Sequence, residues 1–250
     1  MKKNSNQFNL LNFLKNFIKF FLFTFFNKQN SHGNFHDNYD AIWKNKSSKE
    51  TLESYWNKKI HRDLLQPLIK TINENNIKNI LEIGCAAGGI LKIISSNCKN
   101  IENIYGTDFN KDFINFGKEM CVKEKIKNIN LFNEDIDNDK IFELIKDKKI
   151  DLILTHFTLT QLSGAEQKIH KIFKLINKTN PKFLYFAEIF DFNNNIKIFR
   201  AIHQNTYPDR IILNYDYFKK NLNNYEFKLL KENYNNCAIK FSQILCKGRV

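Results

Sequence analysis

The sequence lacks the cysteine patterns that bind zinc or build a disulfide framework. Its five cysteines are an odd number, and no two of them form a Cys-x-x-Cys pair. The sequence likewise shows no cluster of metal-ligating side chains. These absences indicate a protein without a metal site, and free cysteines favour the reducing environment of the cytoplasm.

The sequence also has no uninterrupted apolar run of the roughly 20 residues that a membrane-spanning helix requires. Residues 8–26 are strongly apolar, but polar residues recur among them at helical spacing: Asn9, Asn12, Asn16 and Lys19. Such spacing draws one polar stripe along a helix, and no small-residue cleavage site follows it. The pattern therefore predicts a basic amphipathic helix over residues 1–28 instead of a membrane span or a signal peptide.

Acidic residues are absent from residues 1–28, which contain Lys2, Lys3, Lys15, Lys19 and Lys28. Each lysine beside an anionic lipid leaflet contributes about 1 kcal/mol to binding. We therefore expect residues 8–26 to lie on an anionic membrane surface, which would make the protein peripheral at the inner face of the membrane. Packing of this helix on the protein body or on a second subunit is the alternative. Residues 29–38 are rich in turn-forming residues and predict a linker.

No basic tract accompanies the net charge of +13, because the lysines are scattered along the whole chain. A positive net charge is only one of the features that a nucleic-acid-binding protein needs. Nucleic acid is therefore not an expected partner.

A regular alternation of short apolar runs with helical stretches begins at Lys78. Five of these runs are predicted as strands: KNILEIG, NIYGTDF, NINLFNED, IDLILTHF and KFLYFAEIF. Strands that alternate with helices are typical of a parallel sheet. Two further runs, EFKLLKEN and CAIKFSQILCKG, are separated by only a few residues and predict an antiparallel hairpin at the sheet edge.

The expected fold is therefore one α/β domain over residues 78–250, with a seven-stranded, mostly parallel sheet. Apolar positions from Trp43 to Ile72 have helical periodicity, and Ser48 and Thr51 are possible N-caps. We interpret residues 39–77 as a helical cap over one face of the sheet.

The sequence ILEIGCAAGG, residues 80–89, places a glycine-rich turn between the first strand and a helix. Gly84, Ala86 and Gly88 occupy alternate positions of this turn, and Glu82 precedes the first glycine by two residues. Such a turn allows the backbone to approach a ligand without interference from Cβ atoms. The same residues could instead serve only the close packing of strand against helix.

Acidic residues stand at the ends of the next two predicted strands. The carboxylate of Asp108 could accept two hydrogen bonds from a ribose diol, or it could cap the following helix. Asp135 could accept a hydrogen bond from an adenine amino group while Ile136 packs against the ring, although a solvated acidic loop is the alternative. Thr155 and His156 end the fourth strand, where open α/β sheets bind their ligands.

Together these residues resemble the class I S-adenosylmethionine-dependent methyltransferase family over about residues 78–248. The acid-x-Gly-x-Gly-x-Gly motif of that family matches Glu82, Gly84 and Gly88, and Ala86 replaces the middle glycine. The resemblance implies a Rossmann-like fold with a terminal hairpin and S-adenosylmethionine as the cofactor.

The resemblance also implies roles for the acids and a reaction. Asp108 matches the ribose-binding acid of the family and Asp135 its adenine-side acid. The reaction would be methyl transfer to a small-molecule acceptor, such as a saccharide or a lipid-linked surface-glycan intermediate. For a hydroxyl acceptor His156 is the candidate general base, and a structural histidine is the alternative.

Two other functions remain open at this point. Gly84-x-Ala86-x-x-Gly89 also approximates the fingerprint of a Rossmann-type NAD-dependent dehydrogenase, although a clear Tyr-x-x-x-Lys catalytic pair is missing. The chain could also be a non-catalytic methyltransferase-like scaffold at the membrane surface. The absence of an Asn-Pro-Pro-Tyr type motif argues against methylation of nucleic-acid bases.

Overall fold

The computed structural model of this protein describes residues 48–57, 64–136, 140–162, 165–191, 213–234 and 240–249. The predicted amphipathic helix over 1–28 and the linker over 29–38 lie outside these residues. Within the described ranges, no helix combines the length and the apolar character needed to cross a membrane.

Seven helices, one 3-10 turn and eight strands make up the described part of the chain. The helices are α1 Lys49–Trp56, α2 Gln66–Glu74, α3 Gly89–Asn97, α4 Lys111–Lys123, α5 Lys140–Ile145, α6 Ala165–Thr179 and α7 Tyr215–Asn221, and the 3-10 turn is Leu159–Gln161. The strands are β1 Asn79–Ile83, β2 Asn103–Asp108, β3 Ile129–Asn133, β4 Leu152–His156, β5 Phe183–Asp191, β6 Leu213–Asn214, β7 Tyr225–Tyr234 and β8 Lys240–Gly248.

The sheet has the strand order β3-β2-β1-β4-β5-β8-β7, and the short strand β6 pairs with the end of β5. Strands β1 to β5 are parallel to one another, whereas β8 is antiparallel to both β5 and β7. The predicted seven-stranded, mostly parallel sheet with a terminal antiparallel hairpin is thus confirmed, and β6 is an addition to it. The strand order reverses direction between β1 and β4, which is where open α/β sheets bind ligands.

Helices cover both faces of the sheet. The cap-side face carries α1 to α4 and includes Trp56, Leu68, Ile90 and Phe113 in its core. The opposite face carries α5 to α7 and includes Ile141, Ile172 and Phe218. Because both faces are covered, the central strands are mostly apolar and do not alternate between apolar and polar residues.

The helical cap consists of two short helices. The Ser48 hydroxyl accepts a hydrogen bond from the Thr51 N–H at 3.3 Å, so Ser48 is the N-cap of α1. Pro67 stands in the first turn of α2, where its missing N–H has no intrahelical partner to lose. Helix α2 buries Leu68, Ile69 and Ile72 against the sheet.

Helix α1 is anchored beside the glycine-rich turn by Trp56, which is 1% exposed. Its indole N–H donates to Glu124 Oε1 at 2.7 Å, and Lys92 Nζ lies 4.8 Å from the ring centroid and donates to the same carboxylate. Burial alone would raise the pKa of Glu124, but the hydrogen bonds from Lys92 and Trp56 lower it overall. A Cβ on Gly89 would overlap the Tyr55 carbonyl, so the glycine allows α1 to approach the start of α3.

Candidate active site

The turn between β1 and α3 adopts an unusual backbone conformation. Gly84, Ala86 and Gly88 have φ values of +73°, +48° and +85°, so all three alternate positions lie in the left-handed region. The Gly88 N–H donates to the Cys85 carbonyl at 2.9 Å and closes the turn before α3 begins. Glycine adopts this region freely, whereas alanine does so at an energetic cost.

Gly84 is also required by the loop that follows β4. A Cβ at this position would overlap the Thr158 side chain, whose hydroxyl donates to the Gly84 carbonyl at 3.2 Å. The glycine-rich turn is therefore held from two sides, by β2 through the Gly84 N–H to the Thr107 carbonyl and by the loop after β4. The first glycine therefore serves the close packing of the turn against this loop.

Asp108 lies half-buried at the carboxyl end of β2 and faces the turn. Its Oδ2 accepts from the Ala86 N–H at 2.8 Å, and its Oδ1 accepts from the Asn110 N–H at 2.9 Å. Asn110, not Asp108, is the N-cap of α4, because its side chain accepts from the N–H groups of Asp112 and Phe113. Asp108 is thereby fixed at the sheet edge without serving as the helix cap.

The end of β3 lies next to the end of β2. The Asn133 side-chain amide donates to the carbonyls of Asp108 and Phe109 at 3.0 and 2.8 Å. Asp135 and Ile136 follow directly and are half-buried. Asp135 Oδ1 lies 3.9 Å from Lys168 Nζ of α6, and Ile136 packs against the core of the opposite face.

Glu82 lies inside the sheet, 1% exposed, two residues before the turn. It is in register with Gly106 of β2 and Leu154 of β4. Since side chains alternate along a strand, Glu82 shares the cap-side face with Ile80.

Thr155 and His156 are adjacent residues of β4 and therefore point to opposite faces of the sheet. His156 is 4% exposed and lies on the cap-side face, where its ring packs edge-to-face on Phe157 at 5.1 Å between centroids. Thr155 is fully buried on the opposite face of the sheet, which it shares with Glu188 of the neighbouring strand. The structure thus places His156 and Thr155 in different environments, and only His156 shares a face with Glu82.

Glu188 is a site residue that the sequence analysis missed. Its carboxylate is fully buried and accepts from the N–H groups of Thr158, Leu159 and Thr160 at 2.9, 3.1 and 3.3 Å. Burial raises the pKa of this carboxyl group, and the hydrogen bonds from the loop oppose that shift. The signal in the sequence was a single acid inside the apolar run KFLYFAEIF.

Glu188 orders the loop whose Thr158 contacts Gly84, and Phe157 at the start of that loop has a φ of +53°. A bulky residue in the left-handed region is unusual and is maintained by surrounding contacts. Here the Phe157 N–H donates to the Ala187 carbonyl at 2.9 Å. The loop is therefore fixed at its first residue and along the next three.

These groups fit an adenosine-containing ligand. The carboxylate of Asp108 stands beside a left-handed turn at the β1–β2 edge, and the acid–apolar pair Asp135 and Ile136 stands one strand further along. A ribose diol pairs with a carboxylate, and an adenine ring requires an acceptor at its edge and an apolar contact on its face. The two acids therefore lie at the ends of adjacent strands, Asp108 at the end of β2 and Asp135 after β3.

A family model described as a methyltransferase domain matches residues 74–237 of this chain. No curated protein matches the sequence significantly.

Similar solved structures span most of the chain at low sequence identity. The YcgJ protein from Bacillus subtilis is 12% identical with a TM-score of 0.57, over 76% of this chain and 100% of its own. The magnesium protoporphyrin IX methyltransferase from Synechocystis PCC 6803 with bound S-adenosylmethionine is 9% identical with a TM-score of 0.54, over 88% and 100%.

The N-terminal domain of EvdMO1, in the presence of S-adenosylhomocysteine and D-fucose, is 11% identical with a TM-score of 0.54, over 75% and 82%. At these identities the similarity concerns the fold.

Proposed function

The chain belongs to the methyltransferase-domain family and uses S-adenosylmethionine as its cofactor, and on this premise we propose that it methylates a hydroxyl group of a small molecule of the saccharide class. The observation that carries the cofactor site of this proposal is the pairing of Asp108 Oδ2 with the Ala86 N–H, which joins the end of β2 to the left-handed turn after β1. The dehydrogenase alternative loses its support, because the glycine-rich turn occurs here in a methyltransferase domain.

The cofactor would be held by the residues around this pairing. We assign Asp108 to the ribose, Asp135 and Ile136 to adenine, and the turn of Gly84, Ala86 and Gly88 together with Glu82 to the remainder of the molecule. Thr155 would act indirectly, since it shares a face of the sheet with Glu188, whose carboxylate holds the loop that packs on Gly84. When bound, S-adenosylmethionine supplies a methyl group that its positive sulfonium already activates.

The protein must therefore orient the acceptor, exclude water and remove one proton. We assign proton removal to His156, which lies on the cap-side face at the carboxyl end of β4. Histidine is the side chain best suited to accept a proton near neutral pH. Because His156 is 4% exposed, an acceptor that reaches it would be largely shielded from water.

The saccharide class is supported by one similar structure. The EvdMO1 domain was crystallised in the presence of D-fucose, and the two chains share a fold. A shared fold does not establish a shared substrate, so this is an argument by analogy. A hydroxyl acceptor also agrees with the imidazole that we assign as the base.

A transfer assay tests the proposal. Wild-type protein is incubated with radiolabelled S-adenosylmethionine and a panel of free and lipid-linked saccharides, and labelled product is counted. We expect His156→Gln to lower the rate by about 100-fold or more while the affinity for S-adenosylhomocysteine stays unchanged. Cofactor binding with no transfer to any acceptor would instead support the non-catalytic scaffold.

We further propose that residues 8–26 bring the enzyme to an anionic membrane surface on the cytoplasmic side, where lipid-linked acceptors are found. Co-sedimentation of the full chain with vesicles of phosphatidylcholine, with and without phosphatidylserine, tests this. Binding should require the anionic lipid and should weaken when Lys2, Lys3, Lys15 and Lys19 are replaced by glutamine. Equal recovery in the supernatant with both vesicles would leave packing on protein as the role of the helix.

A further inference from the structure

On the cap-side face, two buried polar atoms have no hydrogen-bond partner within the described part of the chain and take no part in the proposed reaction. These atoms are the Tyr185 hydroxyl and the Gln243 Oε1, and both side chains are fully buried. Buried polar groups are nearly always paired, because each unpaired group costs about 1–3 kcal/mol. Two such groups on adjacent strands of one face therefore indicate a missing partner.

Both residues lie on the cap-side face of the sheet, next to His156. Ala187 of β5 is in register with His156 of β4 on one side and with Gln243 of β8 on the other. Tyr185 is two residues before Ala187 and so shares its face. Adjacent strands are about 4.8 Å apart, so the backbones of His156 and Gln243 are separated by about 10 Å. Ala187, whose side chain is small, is the residue of β5 that lies between them in the sheet.

The chemistry of this pair is defined by its surroundings. The Gln243 Nε2 donates to the Leu64 carbonyl at 2.8 Å, which orients the amide and leaves Oε1 as an acceptor. Burial raises the pKa of Tyr185, so its hydroxyl remains neutral and can donate as well as accept. A ligand hydroxyl could donate to Gln243 and accept from Tyr185, whereas neither of these two side chains carries a charge that would pair with an ionised ligand group.

We propose that Tyr185 and Gln243 are specificity-determining residues that bind a non-reacting hydroxyl of the methyl acceptor, which makes that acceptor an uncharged polyhydroxyl compound. This inference rests on the proposed function, because it places the acceptor between His156 and Gln243. The two residues do not touch the reacting atoms. They fix the position of the acceptor beside the base.

The first test asks whether the Tyr185 hydroxyl has a structural partner in the free protein. Tyr225 provides a matched control, since it is 2% exposed and its hydroxyl donates to the Pro181 carbonyl at 2.9 Å. We expect Tyr225→Phe to lower the Tm and Tyr185→Phe to leave it unchanged or raise it. An equal fall in both variants would show that Tyr185 already has a partner, such as an ordered water, and would overturn the proposal.

The second test measures ligand binding by calorimetry on the full chain saturated with S-adenosylhomocysteine. The probes are D-fucose and myo-inositol, which are uncharged and rich in hydroxyl groups. We expect Tyr185→Phe and Gln243→Met each to weaken binding about tenfold, which corresponds to one hydrogen bond, with no change in affinity for S-adenosylhomocysteine. Tyr225→Phe should bind the probes as the wild type does.

The outcomes separate this inference from the function on which it rests. Equal probe binding by wild type and both variants, or no binding of either probe by the wild type, overturns the subsite. Methyl transfer to a saccharide with unchanged KM in both variants would likewise overturn the subsite and leave the proposed function intact. Failure of the wild type to bind S-adenosylhomocysteine would instead remove the proposed function.

Discussion

The two halves of the carboxyl edge of the sheet differ in how their polar groups are satisfied. In the half formed by β1, β2 and β3, the Asp108 carboxylate accepts one hydrogen bond from the N–H of Asn110, two residues later, and one from the N–H of Ala86 in the neighbouring turn. In the half formed by β4, β5 and β8, Glu188 accepts from a loop about 30 residues earlier in the chain. Tyr185 and Gln243 of the second half each keep one polar atom unpaired within the described ranges.

Under the functions proposed above, this difference would separate two kinds of binding site. The first half is preorganised, so its ligand finds a fixed carboxylate and a fixed turn, as a cofactor common to many enzymes requires. The second half retains buried hydrogen-bonding capacity, as a site for a particular acceptor requires. The loop held by Glu188 connects them, because Thr158 of that loop contacts Gly84.

Removal of Glu188 should have the largest effect. Glu188→Ala leaves three N–H groups and the Thr160 hydroxyl without their acceptor. We expect the free energy of unfolding to fall by about 4 kcal/mol in urea titrations. Glu188→Gln retains one acceptor oxygen and should therefore lower the free energy of unfolding by less. If both variants matched the wild type, the loop would not depend on this carboxylate and the proposed connection would fail.

The glycines of the turn allow a sharper comparison. Gly84→Ala should lower the free energy of unfolding by about 3 kcal/mol. Its new Cβ overlaps Thr158, and alanine also adopts the left-handed backbone region at an energetic cost. Gly88→Ala should cost only about 1 kcal/mol, since the nearest atom to its new Cβ is Leu131 Cδ2 at 3.4 Å. Thr158→Ala should partly rescue the first variant. Equal losses at both positions would show that the contact with the loop is unimportant.

Substitution of Ala86 should change the free energy of unfolding least, and it should raise this free energy where the other substitutions lower it. Ala86→Gly removes the cost of a left-handed alanine at φ +48° but adds the flexibility of glycine to the unfolded chain. We expect a gain of less than about 1 kcal/mol in unfolding free energy, and retained affinity for S-adenosylhomocysteine because the N–H to Asp108 remains. A loss of stability would mean that the alanine methyl group makes contacts that outweigh its backbone cost.

The same difference between the two halves explains what could be predicted from the sequence. The turn from Gly84 to Gly88 and the acid at Asp108 follow strands directly, so local pattern and strand order were sufficient to place them together. Glu188, Tyr185 and Gln243 act through partners distant in sequence, such as the Leu64 carbonyl, which is 179 residues from Gln243. Strand register decides these contacts, and no local pattern encodes it.

Thr155 shows that prediction from the sequence can be incomplete even within one strand. Its position at the end of β4 was predicted, but the face it occupies depends on where the strand begins, and a shift of one residue exchanges the faces of Thr155 and His156.

The cap was predicted as helical between Trp43 and Ile72, and the structure gives α1 and α2 within and just beyond those bounds. Residues 58–63 between the two helices lie outside the described residues.

The central claim is that the β1–β2 edge binds S-adenosylmethionine through Asp108. The most direct test is calorimetric titration of the full chain with S-adenosylhomocysteine and with NAD, for wild type, Asp108→Ala and Asp112→Ala. Asp112 is an exposed acid of α4 that serves as the matched control. We expect S-adenosylhomocysteine to bind the wild type and Asp112→Ala alike, with affinity lowered about 100-fold in Asp108→Ala and no binding of NAD. Undiminished binding by Asp108→Ala, or a preference for NAD, would contradict the account.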